Sequence, residues 1–316
     1  MIKVAVSDLE YGKATEVFAD AAGFECLRAP TPEAELAEFI RDNKIAYVIV
    51  GVDKYHDKLY EALPQGGVIA RFGVGHDGID KALARSKGIY CTNTPGVLDN
   101  SVAECAMGLI LLAARHLAAC VTDNKNSVWK NRVGTEVSGK NLAIIGGGNI
   151  GCKVAKIARA GFGMQTTVFD INEPKTTDNI DKVTTDFSDA VANADFVSVH
   201  IPDIPATKDF INMERLTMMK KSAVLINTAR GNVLDEDSLY DAIENRIIAG
   251  AALDVFKSEP YIPQSPSRDL RALDCVIMTP HIGSSTVDAC RSMAIAALRN
   301  IRMAVAGKTT QMDLIN

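Results

Sequence analysis

Short apolar runs alternate along the chain with longer segments in which apolar residues recur at helical spacing. The first 98 residues contain three such runs, IKVAVS, AYVIVG and VIARFG, separated by amphipathic stretches such as TPEAELAEFIRDN. In this stretch Pro32 and the acidic residues after it mark the beginning of a helix. Strands that alternate with helices predict a parallel sheet covered by helices, so this region is predicted to form a smaller α/β unit.

Six more strand candidates lie in the second part of the chain. They are LAIIG, TTVFD, FVSVH, VLINT, AGAALDV and VIMTP, which begin at residues 142, 166, 196, 224, 249 and 276. Helical segments lie between most of them, and this arrangement matches the two βαβαβ halves of a dinucleotide-binding fold. The apolar stretch VAECAMGLILLAARHLAACV is interrupted by charged residues, so we interpret it as a buried helix that is too short to span a bilayer.

The last helical segment, STVDACRSMAIAALRNIRMAVAG, ends at Gly307, and the tail after it is expected to return to the first unit. The predicted domains are therefore a discontinuous substrate domain, 1–98 plus 288–316, and a dinucleotide-binding domain, 99–287. The predicted fold class is α/β: a Rossmann-type doubly wound parallel sheet with a second, smaller flavodoxin-like domain.

A glycine pattern, G-x-G-x-x-G, follows the first strand of the larger domain at Gly146, Gly148 and Gly151. Alone, this pattern is equally compatible with a plain tight turn. The preceding strand and the following helix, which begins near Asn149 and Ile150, favour a pyrophosphate site. The first glycine permits the turn, the second lets a phosphate approach the backbone, and the third lets helix and strand pack closely.

Asp170 ends the next strand, about twenty residues beyond the last glycine, as a ribose-binding acid does. Its carboxylate would accept hydrogen bonds from the ribose hydroxyls and repel a 2′-phosphate. The predicted cofactor is therefore NAD in preference to NADP. The alternative is that Asp170 only caps a turn or a helix.

Three polar residues follow later strands, where an open α/β sheet binds its ligands. Arg230 follows VLINT, Glu259 follows AGAALDV, and His281 follows VIMTP. Arginine offers a two-pronged donor to a carboxylate, histidine transfers a proton near neutral pH, and a carboxylate fixes the histidine tautomer and favours its protonated form. Together they predict hydride transfer between NAD and C2 of a 2-hydroxy or 2-oxo acid. Each could instead be structural: a surface ion-pair partner, a loop acid or a hydrogen-bonded histidine.

The composition excludes several other classes of protein. A net charge of −5 argues against nucleic acid as the main partner. The 7 cysteines contain no C-x-x-C pair, which is typical of reduced thiols in the cytoplasm rather than of a disulfide frame or a metal site. We predict a cytoplasmic enzyme without a metal and without a membrane partner.

At this point the chain resembles the D-2-hydroxyacid dehydrogenases over nearly its whole length. The resemblance is specific because many motifs occur in order: GVGHDGIDKALARSKGIYCTNTPG, SVAECAMGLIL, GGGNIG with Asp170, FVSVHIP, INTARGNVLDEDSLYDAI, AGAALDVFKSEP and TPHIGSST. It implies that Arg230 binds the substrate and that His281 is the acid/base with Glu259 as its partner. It also implies that backbone N–H groups of Val74 and Gly75 bind the substrate carboxylate.

The resemblance further implies a homodimer, built through the helix that starts near Ser101, and a larger set of residues that line the cofactor. Besides the glycine loop and Asp170, this set comprises Val102, His200, Pro202, Thr207, Thr228, Ala229, Asp254 and Gly283.

Within the family, VWKNRVGTEVSGKNLAIIG and Arg71 are similar to phosphoglycerate dehydrogenases, which makes 3-phosphoglycerate a candidate substrate. Arg71 would then pair with the phosphate, or else form an ordinary salt bridge. A C-terminal regulatory extension is not expected. Asn149 stands where many relatives have Arg, and Ile204 replaces a common Thr. The alternatives are a glyoxylate or hydroxypyruvate reductase and, from another class, an NAD-sensing corepressor-like protein without turnover. Formate dehydrogenases use Gln where Glu259 stands and are discounted.

Overall fold

The computed structural model describes residues 1–316 and divides them into two compact units. Unit 1 comprises Met1–Leu98 and Ser284–Asn316, and unit 2 comprises Asp99–Gly283. Each unit is built on one parallel sheet, as the alternation of strands and helices predicts. The predicted α/β class, with one Rossmann-type and one flavodoxin-like sheet, is confirmed.

Unit 1 has a sheet in the order β2-β1-β3-β4-β5, which is the flavodoxin-like order. Its strands are β1 Ile2–Ser7, β2 Phe24–Ala29, β3 Tyr47–Val50, β4 Val68–Arg71 and β5 Tyr90–Thr92. Its helices are α1 Asp8–Lys13, α2 Thr15–Ala19, α3 Glu33–Asn43, α4 Lys58–Ala62, α5 Lys81–Ser86 and, after unit 2, α12 Val287–Val305. The sequence pattern did not reveal β2 and β5, because β2 is largely exposed or half-buried and β5 has only three residues.

Two chain segments far apart in sequence complete unit 1. After α12 the chain turns at Gly307, whose φ of +69° favours glycine. Leu314 then forms an antiparallel bridge with Thr92, and the Ile315 N–H donates to the Cys91 carbonyl oxygen at 3.0 Å. The tail is thereby hydrogen-bonded to the edge strand β5.

Unit 2 has a seven-stranded sheet in the order β12-β11-β10-β9-β6-β7-β8. Its strands are β6 Asn141–Ile145, β7 Gln165–Phe169, β8 Lys182–Thr184, β9 Phe196–Val199, β10 Val224–Asn227, β11 Gly250–Leu253 and β12 Val276–Met278. Its helices are α6 Asp99–Ala114, α7 Leu117–Lys125, α8 Asn149–Phe162, α9 Phe187–Val191, α10 Met213–Thr217 and α11 Glu236–Glu244. The strand order reverses between β6 and β9, so the carboxyl ends of these strands define the switch point where such sheets bind ligands.

Six of these strands were predicted, and β8 was missed. β8 is an edge strand of three residues, Lys-Val-Thr, in which none is buried, so it shows no apolar run. The remaining strands lie between two layers of buried side chains, one on each face of the sheet. These layers include Val197 and Leu225 on one side and Ile144 and Ile226 on the other.

The prediction of one buried helix over residues 102–121 is wrong in its second half. The helix breaks after α6 because His116 adopts a left-handed conformation, with φ +51°. α6 contains nine buried residues, whereas α7 contains none and leaves α6 at 66°. No single helix is long and apolar enough to cross a membrane; the bent pair of α6 and α7 meets that criterion by length and composition alone.

Candidate active site

The glycine loop between β6 and α8 has the geometry that its sequence predicts. Gly146 has a φ of +110°, and a Cβ there would lie 2.7 Å from the His200 carbonyl oxygen. A Cβ on Gly151 would overlap the Gly146 carbonyl oxygen, so this glycine allows α8 to pack on the strand. Gly148 precedes α8, and a Cβ there would meet nothing within 4 Å. The loop therefore leaves open space in front of a helix N-terminus, as a phosphate site requires.

The Asp170 carboxylate follows β7 and is bound on both oxygens by backbone groups. Oδ2 accepts from the Gly147 N–H at 2.7 Å, and Oδ1 accepts from the Asn172 N–H at 2.9 Å. Asp170 thus caps the turn that follows it, which was the alternative interpretation, and also contacts the glycine loop. The two interpretations are compatible, since the same carboxylate lies beside both elements.

Asn149, the first residue of α8, lies beside Asp99, the first residue of α6. Burial raises the pKa of the Asp99 carboxyl above its ordinary value, and Lys153 and Asn149 oppose this rise. The side chain that stands where many relatives have Arg is therefore directed to a carboxylate of its own chain. Ile150, the next residue, packs against the core beneath the sheet.

Further predicted cofactor residues lie at the carboxyl ends of β9 and β10. The His200 ring hydrogen-bonds the Ser198 hydroxyl through Nε2 at 2.8 Å, and desolvation lowers its pKa to about 4. The Thr207 hydroxyl donates to the Pro202 carbonyl oxygen at 2.6 Å and closes the loop after β9. The Thr228 hydroxyl is buried without a hydrogen-bond partner in the protein. A buried hydroxyl of this kind is available to a ligand group.

His281 and Glu259, which are 22 residues apart in sequence, are hydrogen-bonded to each other. The His281 Nδ1 and Glu259 Oε2 atoms are 2.7 Å apart, and Glu259 Oε1 accepts from the Phe256 N–H at 3.0 Å. Burial alone raises the pKa of the Glu259 carboxyl. The hydrogen bond and charge of His281, the Phe256 N–H and the charge of Arg230 lower the pKa by more than burial raises it. The net pKa of Glu259 therefore lies below the ordinary value.

Asp254 holds the loop that carries His281. Its Oδ1 accepts from the Ile282 N–H at 2.9 Å and the Thr279 hydroxyl at 2.6 Å, and its Oδ2 accepts from the Gly283 N–H at 2.7 Å. The His281 N–H donates to the Asp254 carbonyl oxygen at 2.9 Å. His281 has a φ of +53°, a left-handed conformation that costs free energy in a residue other than glycine. The buried Asp254 carboxylate therefore holds His281 and the two residues after it in a backbone conformation that is strained at His281.

Arg230 begins the turn that follows β10. Its guanidinium donates to the Ala229 carbonyl oxygen at 2.6 Å, and its own carbonyl oxygen accepts from Asn227 Nδ2 at 2.9 Å. Asn227 Oδ1 also accepts from the Ala229 N–H at 3.0 Å, so one buried amide shapes the whole turn. The charge of Arg230 is one of the causes that lower the pKa of Glu259, so the guanidinium lies within electrostatic reach of this carboxylate.

The structure thus brings Arg230, Glu259 and His281 together in unit 2. Next to them, the Ser101 hydroxyl donates to the Gly283 carbonyl oxygen at 2.7 Å, and Val102 packs beside Gly283. The sequence analysis missed Asn227 and Glu236, which support these loops. Their signal was the density of polar residues within INTARGNVLDE, where only Thr228, Ala229 and Arg230 were assigned a role.

Arg71, Val74 and Gly75 lie at the carboxyl end of β4, in unit 1. Arg71 is buried, and its guanidinium donates to the Phe72 carbonyl oxygen. The Val74 carbonyl oxygen accepts from Asn93 Nδ2 at 2.8 Å. Burial and the charge of Glu10 raise the pKa of Asp53, whereas the charge of Arg71 opposes this rise.

The glycine loop, the helix N-terminus and the unpartnered Thr228 hydroxyl fit a dinucleotide. Residues 107–283, more than half of the chain, match the family model for the NAD binding domain of D-isomer specific 2-hydroxyacid dehydrogenases. The chain is 37% identical over 301 residues to a hydroxypyruvate reductase of Thermotoga maritima, covering 95% of this chain and 97% of that protein. It is 36% identical to a D-3-phosphoglycerate dehydrogenase of Methanocaldococcus jannaschii over 98% of this chain, but it spans 59% of that protein.

A solved structure confirms the same fold. The NADPH-dependent glyoxylate/hydroxypyruvate reductase of Sinorhizobium meliloti superposes with a TM-score of 0.83 at 27% identity, covering 97% of this chain and 95% of that chain. The chain belongs to the D-isomer specific 2-hydroxyacid dehydrogenase family. It is an oxidoreductase that uses an NAD-type cofactor and acts on 2-hydroxy or 2-oxo acids.

Proposed function

We propose that Arg230, Glu259 and His281 form the catalytic set for this reaction. The observation that carries the proposal is the 2.7 Å hydrogen bond between His281 Nδ1 and Glu259 Oε2. Because Glu259 is ionised, it accepts a hydrogen bond from the Nδ1–H group and leaves Nε2 of His281 to exchange a proton with the substrate oxygen at C2. The nicotinamide of the bound cofactor supplies or accepts the hydride at C2.

Arg230 supports this proton transfer by binding the substrate. Its planar guanidinium suits a carboxylate and the adjacent carbonyl oxygen, and its positive charge also keeps Glu259 ionised. In unit 1 the backbone N–H groups of Val74 and Gly75 are proposed to bind a substrate carboxylate.

On the cofactor side, we infer that the N-terminus of α8 binds the pyrophosphate and that Asp170 reads the ribose. The open space beside Gly148 supports the first role, and the carboxylate held at the end of β7 supports the second. A fixed negative charge at Asp170 favours NAD over NADP. The other residues proposed to line the cofactor are those predicted from the sequence: Val102, Asn149, Ile150, His200, Pro202, Thr207, Thr228, Ala229, Asp254 and Gly283.

For the substrate, we propose a short 2-oxo acid such as glyoxylate or hydroxypyruvate. Arg71 is buried and its guanidinium donates to the Phe72 carbonyl oxygen, so part of its hydrogen-bonding capacity is already used within the protein. Two relatives point the same way, since they are named hydroxypyruvate reductase and glyoxylate reductase and align over most of their length. The second candidate is 3-phosphoglycerate, which is favoured by the presence of Arg71 at the end of β4.

A spectrophotometric panel tests this proposal. NADH oxidation is followed with glyoxylate, hydroxypyruvate, pyruvate and phosphohydroxypyruvate, and NAD reduction with 3-phosphoglycerate. We expect the highest kcat/KM with one of the two short acids. A highest value with phosphohydroxypyruvate would establish the second candidate, and NADH binding without turnover of any acid would indicate a binding protein.

We also propose a cytoplasmic homodimer that forms through α7 and the segment after it. This region exposes several large apolar side chains, namely Leu117, Val121, Val128, Trp129 and Val133. Several exposed large apolar side chains within one short stretch of sequence are typical of a protein interface. Light scattering of the purified protein is expected to give twice the chain mass of 33.9 kDa, and the double substitution Val121→Glu with Trp129→Glu is expected to give the monomer mass.

A further inference from the structure

Glu236 is a buried carboxylate that hydrogen-bonds the backbone of the loop that carries Glu259. It is the first residue of α11, its side chain is almost completely enclosed, and its Oε1 accepts from the Lys257 N–H at 2.7 Å. No group of the protein donates a hydrogen bond to its other oxygen, Oε2. A carboxylate in this position lowers the stability of the folded protein, because it is buried without hydrogen bonds to both of its oxygens.

The backbone that Glu236 holds leads directly to Glu259. Lys257 follows Phe256, whose N–H donates to Glu259 Oε1, while Glu259 Oε2 binds His281. The Lys257 ammonium also lies 2.6 Å from Asp209 Oδ1, which holds the same residue by its side chain.

The turn after Arg230 packs against this backbone as well. A Cβ on Gly231 would overlap the carbonyl group of Phe256 and the nitrogen of Lys257. The turn after Arg230 therefore packs directly on the Phe256–Lys257 backbone of the loop that leads to Glu259. Helix α11 begins beside this contact.

We propose that Glu236 is a positioning residue that sets the orientation of Glu259 toward His281. The inference rests on the proposed function of Glu259. Without the acceptor at Glu236, the Lys257 N–H loses its partner, and the backbone from Lys257 to Glu259 is held less firmly. The Glu259 side chain then moves away from the Phe256 N–H, and the imidazole loses its oriented anionic partner.

The charges around Glu236 are compatible with this role. Burial raises the pKa of Glu236, the N–H and charge of Lys257 lower it, and Asp237 and Asp235 raise it. The hydrogen bond to Lys257 requires only an acceptor oxygen at Oε1, and an amide in place of the carboxylate provides one.

Three variants of the full-length protein test the proposal. Glu236→Leu removes the acceptor, Glu236→Asp withdraws it by one methylene group while keeping the charge, and Glu236→Gln keeps the acceptor. With the 2-oxo acid that the wild type reduces, we expect the Leu and Asp variants to lose about 10- to 100-fold in kcat, with the NADH dissociation constant unchanged. We expect Glu236→Gln to stay within about threefold of the wild type, because Oε1 is retained.

The pH profile separates positioning from a purely structural role. Reduction requires a protonated imidazole, and a misplaced Glu259 favours that form less, so the alkaline limb of kcat moves to lower pH in the Leu and Asp variants. Asp235→Ala is the matched control, since Asp235 caps the same helix but does not contact Lys257. It is expected to lower Tm without moving the limb. The proposal would be overturned if the alkaline limb of kcat did not move in the Leu and Asp variants. It would also be overturned if Glu236→Gln lost as much kcat as those two variants.

Amide hydrogen exchange provides a readout that does not depend on turnover. Exchange at the Lys257 amide is expected to accelerate in Glu236→Asp and to stay slow in Glu236→Gln. If the wild type reduces no 2-oxo acid, the proposed function fails, and hydrogen exchange still decides whether Glu236 holds the loop. Equal exchange in all three variants and the wild type would contradict the inference.

Discussion

The Asp170 carboxylate accepts a hydrogen bond from the Gly147 N–H at 2.7 Å. This bond links the residue proposed to read the ribose to the loop proposed to bind the pyrophosphate. The same carboxylate is therefore expected to act on cofactor affinity in two ways: by its charge toward a 2′-phosphate and by the shape that it imposes on the glycine loop.

Asp170→Ala and Asp170→Asn are expected to have different effects. Both remove the negative charge, so the ratio of kcat/KM for NADH to that for NADPH falls by about tenfold or more. Only the Ala variant also loses the acceptor for Gly147, so NADH affinity falls further in that variant than in Asn. Steady-state kinetics with both cofactors measures the ratio. An unaltered ratio in both variants would mean that the ribose is recognised elsewhere.

His281→Asn removes the proposed proton donor. We expect kcat for 2-oxo acid reduction to fall by about 100- to 10,000-fold, while NADH binding measured by fluorescence stays within about twofold. Glu259→Gln keeps an oxygen that can accept the Nδ1 proton but removes the charge, so its loss is expected to be smaller. Normal turnover of His281→Asn would exclude His281 from the chemistry.

Asp254 is expected to contribute strongly to the stability of the folded protein. Asp254→Ala leaves the N–H groups of Ile282 and Gly283 and the Thr279 hydroxyl without their acceptor, which lowers the free energy of unfolding by about 2–4 kcal/mol. Asp254→Asn keeps the oxygen that serves Ile282 and Thr279, so an intermediate loss is expected. Urea unfolding gives these values, and equal stability of Ala and wild type would contradict the role of the carboxylate.

Gly151 and Gly148 form a matched pair for the glycine loop. Gly151→Ala places a methyl group against the Gly146 carbonyl oxygen and is expected to lower the free energy of unfolding by about 1–3 kcal/mol. Gly148→Ala meets no protein atom within 4 Å and is expected to leave stability within about 0.5 kcal/mol. If the pyrophosphate uses this space, Gly148→Ala weakens NADH binding without destabilising the fold; unchanged binding would place the phosphates elsewhere.

His200 predicts a specific response to acid. Its pKa is about 4 in the folded protein against an ordinary value of 6.5, so between these values the unfolded chain binds a proton that the folded chain does not. The free energy of unfolding therefore decreases as the pH falls from 6.5 toward 4, by about 1–3 kcal/mol from this residue. His200→Gln lacks this contribution, so the difference in stability between the two proteins should change below pH 6.5 and be constant above it. If the free energies of unfolding of the two proteins changed in parallel with pH over the whole range, His200 would not be the source of this pH dependence.

The sequence revealed most of the fold, because apolar strands and glycine turns leave local patterns. It missed β8 and the break at His116 for opposite reasons. β8 lies at an exposed edge and needs no apolar residues, whereas residues 117–121 are apolar but none of them is buried. The prediction that Arg230, Glu259 and His281 form the catalytic set came from their positions after strands. Glu236 was not, because a buried acid at a helix start has the same sequence pattern as an ordinary cap.

The hydrogen bonds that join Leu314 and Ile315 to β5 affect the order of folding during synthesis. The ribosome completes Asp99–Gly283 before it makes α12 and the tail, so the dinucleotide-binding unit can close while the first 98 residues still lack their final helix and edge contact. Unit 1 is therefore completed only after α12 and the residues that pair with β5 have been synthesised.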